Sequence, residues 1–340
     1  MIIWLARVAF QPHLEECVET VELRPLSLGE LLDRTFSLYR SHFWLFVGIM
    51  AIPAAFAIPE RILLLNFEGS FFNLTPGRLP TMPDPAVMAG IFGGYFALLI
   101  VFLVVYAVGT GAATSAVADV YLGRSSTARG SYAKVRAKFW RLIGVVFNIA
   151  LRLLGIVVPV MVVAVGLVVA VTMSAGGNVN SPAVVISMFL IFLFFYLAAF
   201  AFCVWFVLRY AIAIPVLMIE DLGVLDSIRR SVFLTRGRRG HIFLALLVAG
   251  IIVYVGMLLF TFPFVIAVML AAARGHWPVW LSSASAVASA IGIAVSGPIS
   301  MIVTVLLYYD TRIRKEAFDL QFMMSSLDQP APAAGTVSPA

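Results

Sequence analysis

Hydrophobic positions in this chain gather in long unbroken runs instead of alternating or recurring every third or fourth residue. Six runs stand out, at 42–65, 87–118, 142–173, 183–219, 242–273 and 277–309. Each exceeds the roughly 18 apolar residues that mark a candidate membrane span. Lipid offers no water to an unpaired backbone amide, so continuous runs of this length predict helices. The expected fold is all-α, a polytopic integral membrane protein with six transmembrane helices. Most runs are longer than the roughly 20 residues a bilayer core requires, and a helix absorbs the excess by tilting, kinking or projecting. Breaks are expected at Gly109 with Gly111, Pro159, Pro215, Pro263, and Gly297 with Pro298. Beyond the breaks in the even-numbered spans, short apolar tails lead to Asp119, to Glu220 with Asp221, and to Asp310.

Between the runs the pattern becomes amphipathic. Leu28, Leu31, Leu32, Phe36 and Tyr39 share one face at helical spacing, as do Tyr132, Val135 and Phe139, and then Leu225, Ile228 and Val232. After the last span Ile313, Ala317, Leu320 and Met324 continue the pattern. A Leu-Gly pair recurs at Leu28-Gly29, Leu122-Gly123 and Leu222-Gly223, and each is followed by an entry into the next span at Phe43-Trp44, Phe139-Trp140 or Ile242-Phe243. The period of roughly 95 to 100 residues predicts three repeats, each an amphipathic interfacial helix followed by a transmembrane hairpin. Trp44, Trp140, Trp277 and Trp280 sit at span ends, as interfacial anchors do.

Composition sharpens this picture. Of 340 residues 62% are hydrophobic and 12% charged, about half the usual charge content of a soluble domain. A mean hydropathy of +1.03 excludes disorder over most of the chain. The net charge of +6 raises nucleic acid as a partner, but the cations cluster by topology. They lie before the first span (Arg7, Arg24, Arg34, Arg40), between the second and third (from Arg124 to Arg141), between the fourth and fifth (from Arg229 to Arg239), and after the last (Arg312, Arg314, Lys315). Arg61, Arg78 and Arg274 alone fall on the other side. The positive-inside rule then puts both termini and the two long basic connections in the cytoplasm. Nucleic acid is not an expected partner; membrane lipids are, with a protein partner left open.

The expected organisation is a polar N-terminal extension over 1–23, a six-span membrane domain over 24–322 and a disordered tail over 323–340. An external loop is expected at 68–85. Met1 to Phe10 is apolar but lacks the small-residue cleavage pattern of a signal peptide.

Two cations lie inside apolar runs, Arg152 and Arg209. Each is more than 20 residues from the external end of its run, so at 1.5 Å per residue each is more than roughly 30 Å deep, at the cytoplasmic interface. There an arginine snorkels to phosphate or forms an anion or lipid-headgroup site, and Asp119, Glu220, Asp221 and Asp310 are the interfacial acids, the first three candidate ion-pair partners. His13, His42, His241 and His276 show no metal-ligand spacing, and Cys17 and Cys203 form no cluster. There is no phosphate-binding loop and no nucleophile elbow. Except for Glu60, at the external end of the first span, no carboxylate suits a proton relay. Neither a cofactor nor an enzymatic activity is expected.

Three stretches carry a resemblance. They are Arg24-Pro25-Leu26-Ser27-Leu28-Gly29-Glu30-Leu31-Leu32-Asp33 with Phe36, Tyr39 and Arg40; Arg209-Tyr210 with Pro215 and Asp226-Ser227-Ile228-Arg229-Arg230-Ser231; and Leu307-Tyr308-Tyr309-Asp310-Thr311-Arg312-Ile313-Arg314-Lys315-Glu316 with Phe318, Asp319 and Leu320. Over about residues 24–322 the chain resembles the bacterial integral membrane family named after the membrane domain of glycerophosphoryl diester phosphodiesterase. The resemblance implies a bacterial plasma-membrane location. It transfers no catalytic residue, because no stretch of this chain could fold into the soluble phosphodiesterase domain to which the module can be joined. The expected function is a non-enzymatic module that binds or organises lipid headgroups, or a partner protein, at the cytoplasmic face. The alternative is a transporter or channel for a small polar or anionic solute, suggested by the broken helices.

Overall fold

The computed structural model describes residues 25–71, 85–176, 181–274 and 279–316. The expected N-terminal extension, most of the 68–85 loop, and the expected tail with Ala317, Leu320 and Met324 lie outside the described residues, as do His13, Cys17, His276 and Trp277. Among the described residues there are ten helices and no strand. In chain order they are α1 (Leu28–Ser41), α2 (Phe43–Phe71), α3 (Pro85–Tyr121), α4 (Ala128–Ala137), α5 (Phe139–Ser174), α6 (Pro182–Tyr210), α7 (Ala213–Glu220), α8 (Val224–Thr235), α9 (Arg239–Ala273) and α10 (Val279–Glu316). Six segments are long and apolar enough to cross a membrane, with α6 and α7 forming one of them. The chain is a multi-pass membrane protein.

The long helices divide into a packed group and a loose hairpin. α10 packs against α9, α2, α1 and α3. Its first half is rich in Ala, Ser and Gly, and Ala286, Ala288, Ala290, Ala294 and Ser296 are buried. Small side chains let backbones approach closely where lipid supplies no hydrophobic drive between helices. A Cβ added to Gly292 would lie 3.0 Å from the Met257 backbone, and one on Gly256 would lie 2.8 Å from Ser296 Cβ. As a result 61% of the most apolar window of α10 is buried, against none of that of α5. The α5–α6 hairpin meets the rest mainly through α3, α7 and α8, leaving long apolar flanks exposed.

Only one expected break interrupts a helix. The fourth span stops at Tyr210 and restarts at Ala213, just ahead of Pro215, which lacks the amide that a continuous helix would need. Pro159, Pro263 and Pro298 lie inside unbroken helices, as membrane helices tolerate. Gly109 and Gly111 are packing positions instead of breaks. A Cβ on Gly109 would sit 2.7 Å from Pro53 Cγ, and one on Gly111 2.9 Å from Leu142 Cδ2.

The short helices keep part of their expected faces, with Leu31, Val135 and Ile228 buried and Phe36 and Leu225 exposed. Ser27 and Glu30 form a capping box that starts α1, whose inward positions are Leu31 and Thr35, while Phe36 points outward. α4 buries Ser131 and Val135. α8 buries Ser227, Ile228, Ser231, Leu234 and Thr235, leaving Leu225 and Phe233 about half exposed. Ser227, Ser231 and Thr235 let α8 lie close to its neighbours, while Ile228 and Leu234 supply the apolar part of the same buried face. No separate helix begins after Asp310. α10 runs through it to Glu316, and Ile313 is buried.

Candidate functional site

Charged groups gather at one end of the molecule in two tiers. In the outer tier Lys134 on α4 pairs with Asp119 on α3. Asp221, in the left-handed conformation that ends α7, faces Lys138 at 3.1 Å and Arg141 at 2.9 Å. The hydrogen bond and charge of Lys138, with help from Arg141, hold the Asp221 carboxyl below its ordinary range. Glu220 accepts from Arg230 Nε at 2.9 Å and from the Tyr308 hydroxyl at 2.9 Å. Arg230 also donates to Glu316 at 2.7 Å, and Arg312 donates to the Tyr308 hydroxyl at 3.0 Å. Partial burial opposes the Arg230 charge, but its bonds to Glu316 and Glu220 outweigh that and raise its pKa. Lys315 donates to the Phe233 and Arg236 carbonyls at 2.6 and 2.7 Å, a cation at the C-terminus of α8 where the helix dipole favours one.

Asp310 is the most enclosed acid, 1% exposed. One of its oxygens accepts the Leu26 amide and Arg314 Nε, each at 2.9 Å, while Arg314 donates to the Leu26 carbonyl at 2.8 Å. Its other oxygen lies 3.9 Å from His241 Nε2, and neither atom has a closer partner. The segment before α1 is thereby fastened to the last helix.

Hydroxyls of the short helices fasten the spans at points that proline weakens. Tyr132 donates at 2.7 Å to the carbonyl of Ile49, four residues before Pro53 and thus without its helical donor. Tyr39 donates to the carbonyl of Val295, next to the Ala294 carbonyl that Pro298 leaves without its helical donor. Ser231 donates at 3.2 Å to the carbonyl of Arg209, at the interruption before Pro215. Burial raises the Tyr132 hydroxyl to about 12, so it remains a donor throughout the physiological range.

The inner tier holds Arg152 and Arg209, and it is set apart from the acids expected to pair with them. Eleven residues separate Arg141 from Arg152, about 16 Å along α5 at 1.5 Å per residue. Asp119, Glu220 and Asp221 take other partners, as described above. Arg152 instead donates to the Tyr210 hydroxyl at 3.1 Å, and Arg209 lies 5.1 Å from the centre of the Trp205 ring. Both guanidinium carbons are 5.9 Å from the centre of the Tyr210 ring. No described carboxylate pairs with either arginine, and Arg209 Nε is buried without a partner. Asn148, one turn from Arg152 on α5, likewise leaves its buried Oδ1 unpaired.

A groove of about 580 Å³ runs along the α5–α6 hairpin, its lining stopping at Ile156 and Phe202, short of the two arginines. Its walls are apolar, from Ile156, one turn beyond Arg152, through Val160 and Ala164 on α5, with Phe195, Ala199 and Phe202 on α6. Phe202, Phe206 and Tyr210 continue it as a ladder of ring contacts at 5.8 and 4.6 Å. The volume is that of an ordinary small-molecule pocket.

The sequence reading found both arginines and all four acids but missed the groove, the proline-linked hydroxyls and the burial of Asp310. The Ser27–Glu30 spacing and the Asp310–Arg314 spacing of four were available signals. Fold and site together define a multi-pass all-helical membrane protein with its charges gathered at one end and an apolar groove leading towards two arginines. The chain belongs to the family described as "Domain of unknown function (DUF7847)", which matches residues 44–311. No curated protein and no solved structure matches the chain.

Proposed function

We propose that this protein is a non-enzymatic membrane module that holds an anionic lipid, with the phosphate on Arg152 and Arg209 and the hydrocarbon in the α5–α6 groove. One observation carries the reading: an apolar groove stops one helical turn from Arg152, which shares the Tyr210 ring with Arg209, and no described acid neutralises either cation. Unpaired charge at membrane depth is costly and marks a ligand path or site. The charged end faces the cytoplasm of a bacterial plasma membrane, with both termini on that side, in keeping with the cation distribution. Three short helices, each ahead of two long segments, support the threefold repeat, and their outward Phe36, Leu225 and Phe233 suit the headgroup plane. The resemblance to the glycerophosphoryl diester phosphodiesterase membrane domain supports a lipid-facing role without an activity. A transporter is less well supported, since among the described residues only the fourth span is interrupted and its freed Arg209 carbonyl is already bonded to Ser231.

Native mass spectrometry of protein extracted in mild detergent tests this. The wild type should carry anionic phospholipid, and Arg152→Gln with Arg209→Gln should lower its retention about a hundredfold, the loss of two charge-assisted contacts at roughly tenfold each. Equal retention by the double variant refutes the site.

A further inference from the structure

We infer that the lipid in this groove is a phosphomonoester, whose phosphate carries one ester link, and not a diester. The inference rests on the lipid-binding reading above and adds the headgroup class. Two guanidinium groups flank the Tyr210 ring without a described counter-carboxylate, so the site offers two positive charges. Stacking on Trp205 and Tyr210 attracts the cations but cancels neither charge. A phosphodiester brings a single negative charge, whereas a phosphomonoester brings about 1.5 to 2 near neutral pH and three free oxygens. Charge balance matters most where water is scarce, because an uncompensated ion there is expensive.

Donor geometry points the same way. Arg152 is tied by one bond to the Tyr210 hydroxyl, which leaves its other donors for a ligand. Arg209 Nε is a buried donor with nothing to donate to. Two planar forks meeting one headgroup need several unesterified oxygens, and a monoester supplies one more than a diester.

The test uses full-length protein in nanodiscs, with phosphatidic acid, phosphatidylglycerol and phosphatidylcholine of matched chains competing for retention. The expected result is phosphatidic acid retained at least about fivefold over phosphatidylglycerol, with phosphatidylcholine near background and the preference lost in Arg209→Gln. Ala164→Phe, which fills the groove and spares the arginines, should weaken both anionic lipids and leave their ratio unchanged. Equal retention of phosphatidic acid and phosphatidylglycerol, both lost in the Arg152→Gln, Arg209→Gln variant, overturns the monoester and leaves the anionic-lipid reading standing. Retention of all three lipids alike overturns both. Displacement by millimolar inorganic phosphate with no effect of Ala164→Phe makes free phosphate the ligand and also overturns the lipid assignment.

Discussion

Asp310 shows how one side chain can hold distant parts of a chain. It joins an amide 284 residues away to an arginine one turn further along its own helix. Removing a partner from such a buried pair leaves the other charge uncompensated, so Asp310→Ala should cost about 3–5 kcal/mol. Tyr132→Phe removes a single hydroxyl from the Ile49 carbonyl and should cost about 1–3 kcal/mol, since that carbonyl has lost its helical donor to Pro53. Thermal midpoints in detergent, read by the surviving monodisperse fraction, should rank wild type above Tyr132→Phe above Asp310→Ala. A midpoint for Asp310→Ala equal to wild type would refute the fastening role. The acid was visible in the sequence at the end of a span, but its burial was not. Burial depends on Leu26 and Arg314 arriving from opposite ends of the chain, and linear spacing reveals only the second.

Single elements divide sharply between legible and illegible. Long runs such as 142–173 predicted α5 because lipid leaves a continuous apolar segment no alternative to a helix. The faces of the short helices followed a different rule. In a membrane protein large apolar side chains are as content against lipid as against protein, so the inward face of α8 combines Ile228 and Leu234 with the small Ser227, Ser231 and Thr235, and leaves Leu225 outside. The same logic turned Gly109 from an expected break into a contact with Pro53. This reversal is measurable. Ser231→Leu should destabilise by about 1–3 kcal/mol through overpacking, while Leu225→Ser should stay within about 0.5 kcal/mol in detergent. The opposite order would restore the face that periodicity alone suggested.

Across the whole molecule, the location and number of spans were legible in hydropathy, and the proposed orientation in the placement of cations. The groove was not, because it exists only where the α5–α6 hairpin stands away from the packed helices, an arrangement set by contacts at the charged end. Orientation can be checked with single cysteines. Arg129→Cys and Arg238→Cys should resist a membrane-impermeant thiol reagent added to intact cells, and Asn178→Cys should react; the reverse labelling would invert the molecule. The small-residue helix α10 bears on how the protein is made. It leaves the ribosome after the other nine helices, yet it is the post around which α1, α2, α3 and α9 assemble. Until it emerges, α2 with α3 and α5 with α6 can pair, but α1, α2, α3 and α9 lack the helix that joins them. Biogenesis therefore separates insertion from consolidation, and a nascent chain stalled before Val279 is a natural substrate for membrane quality control.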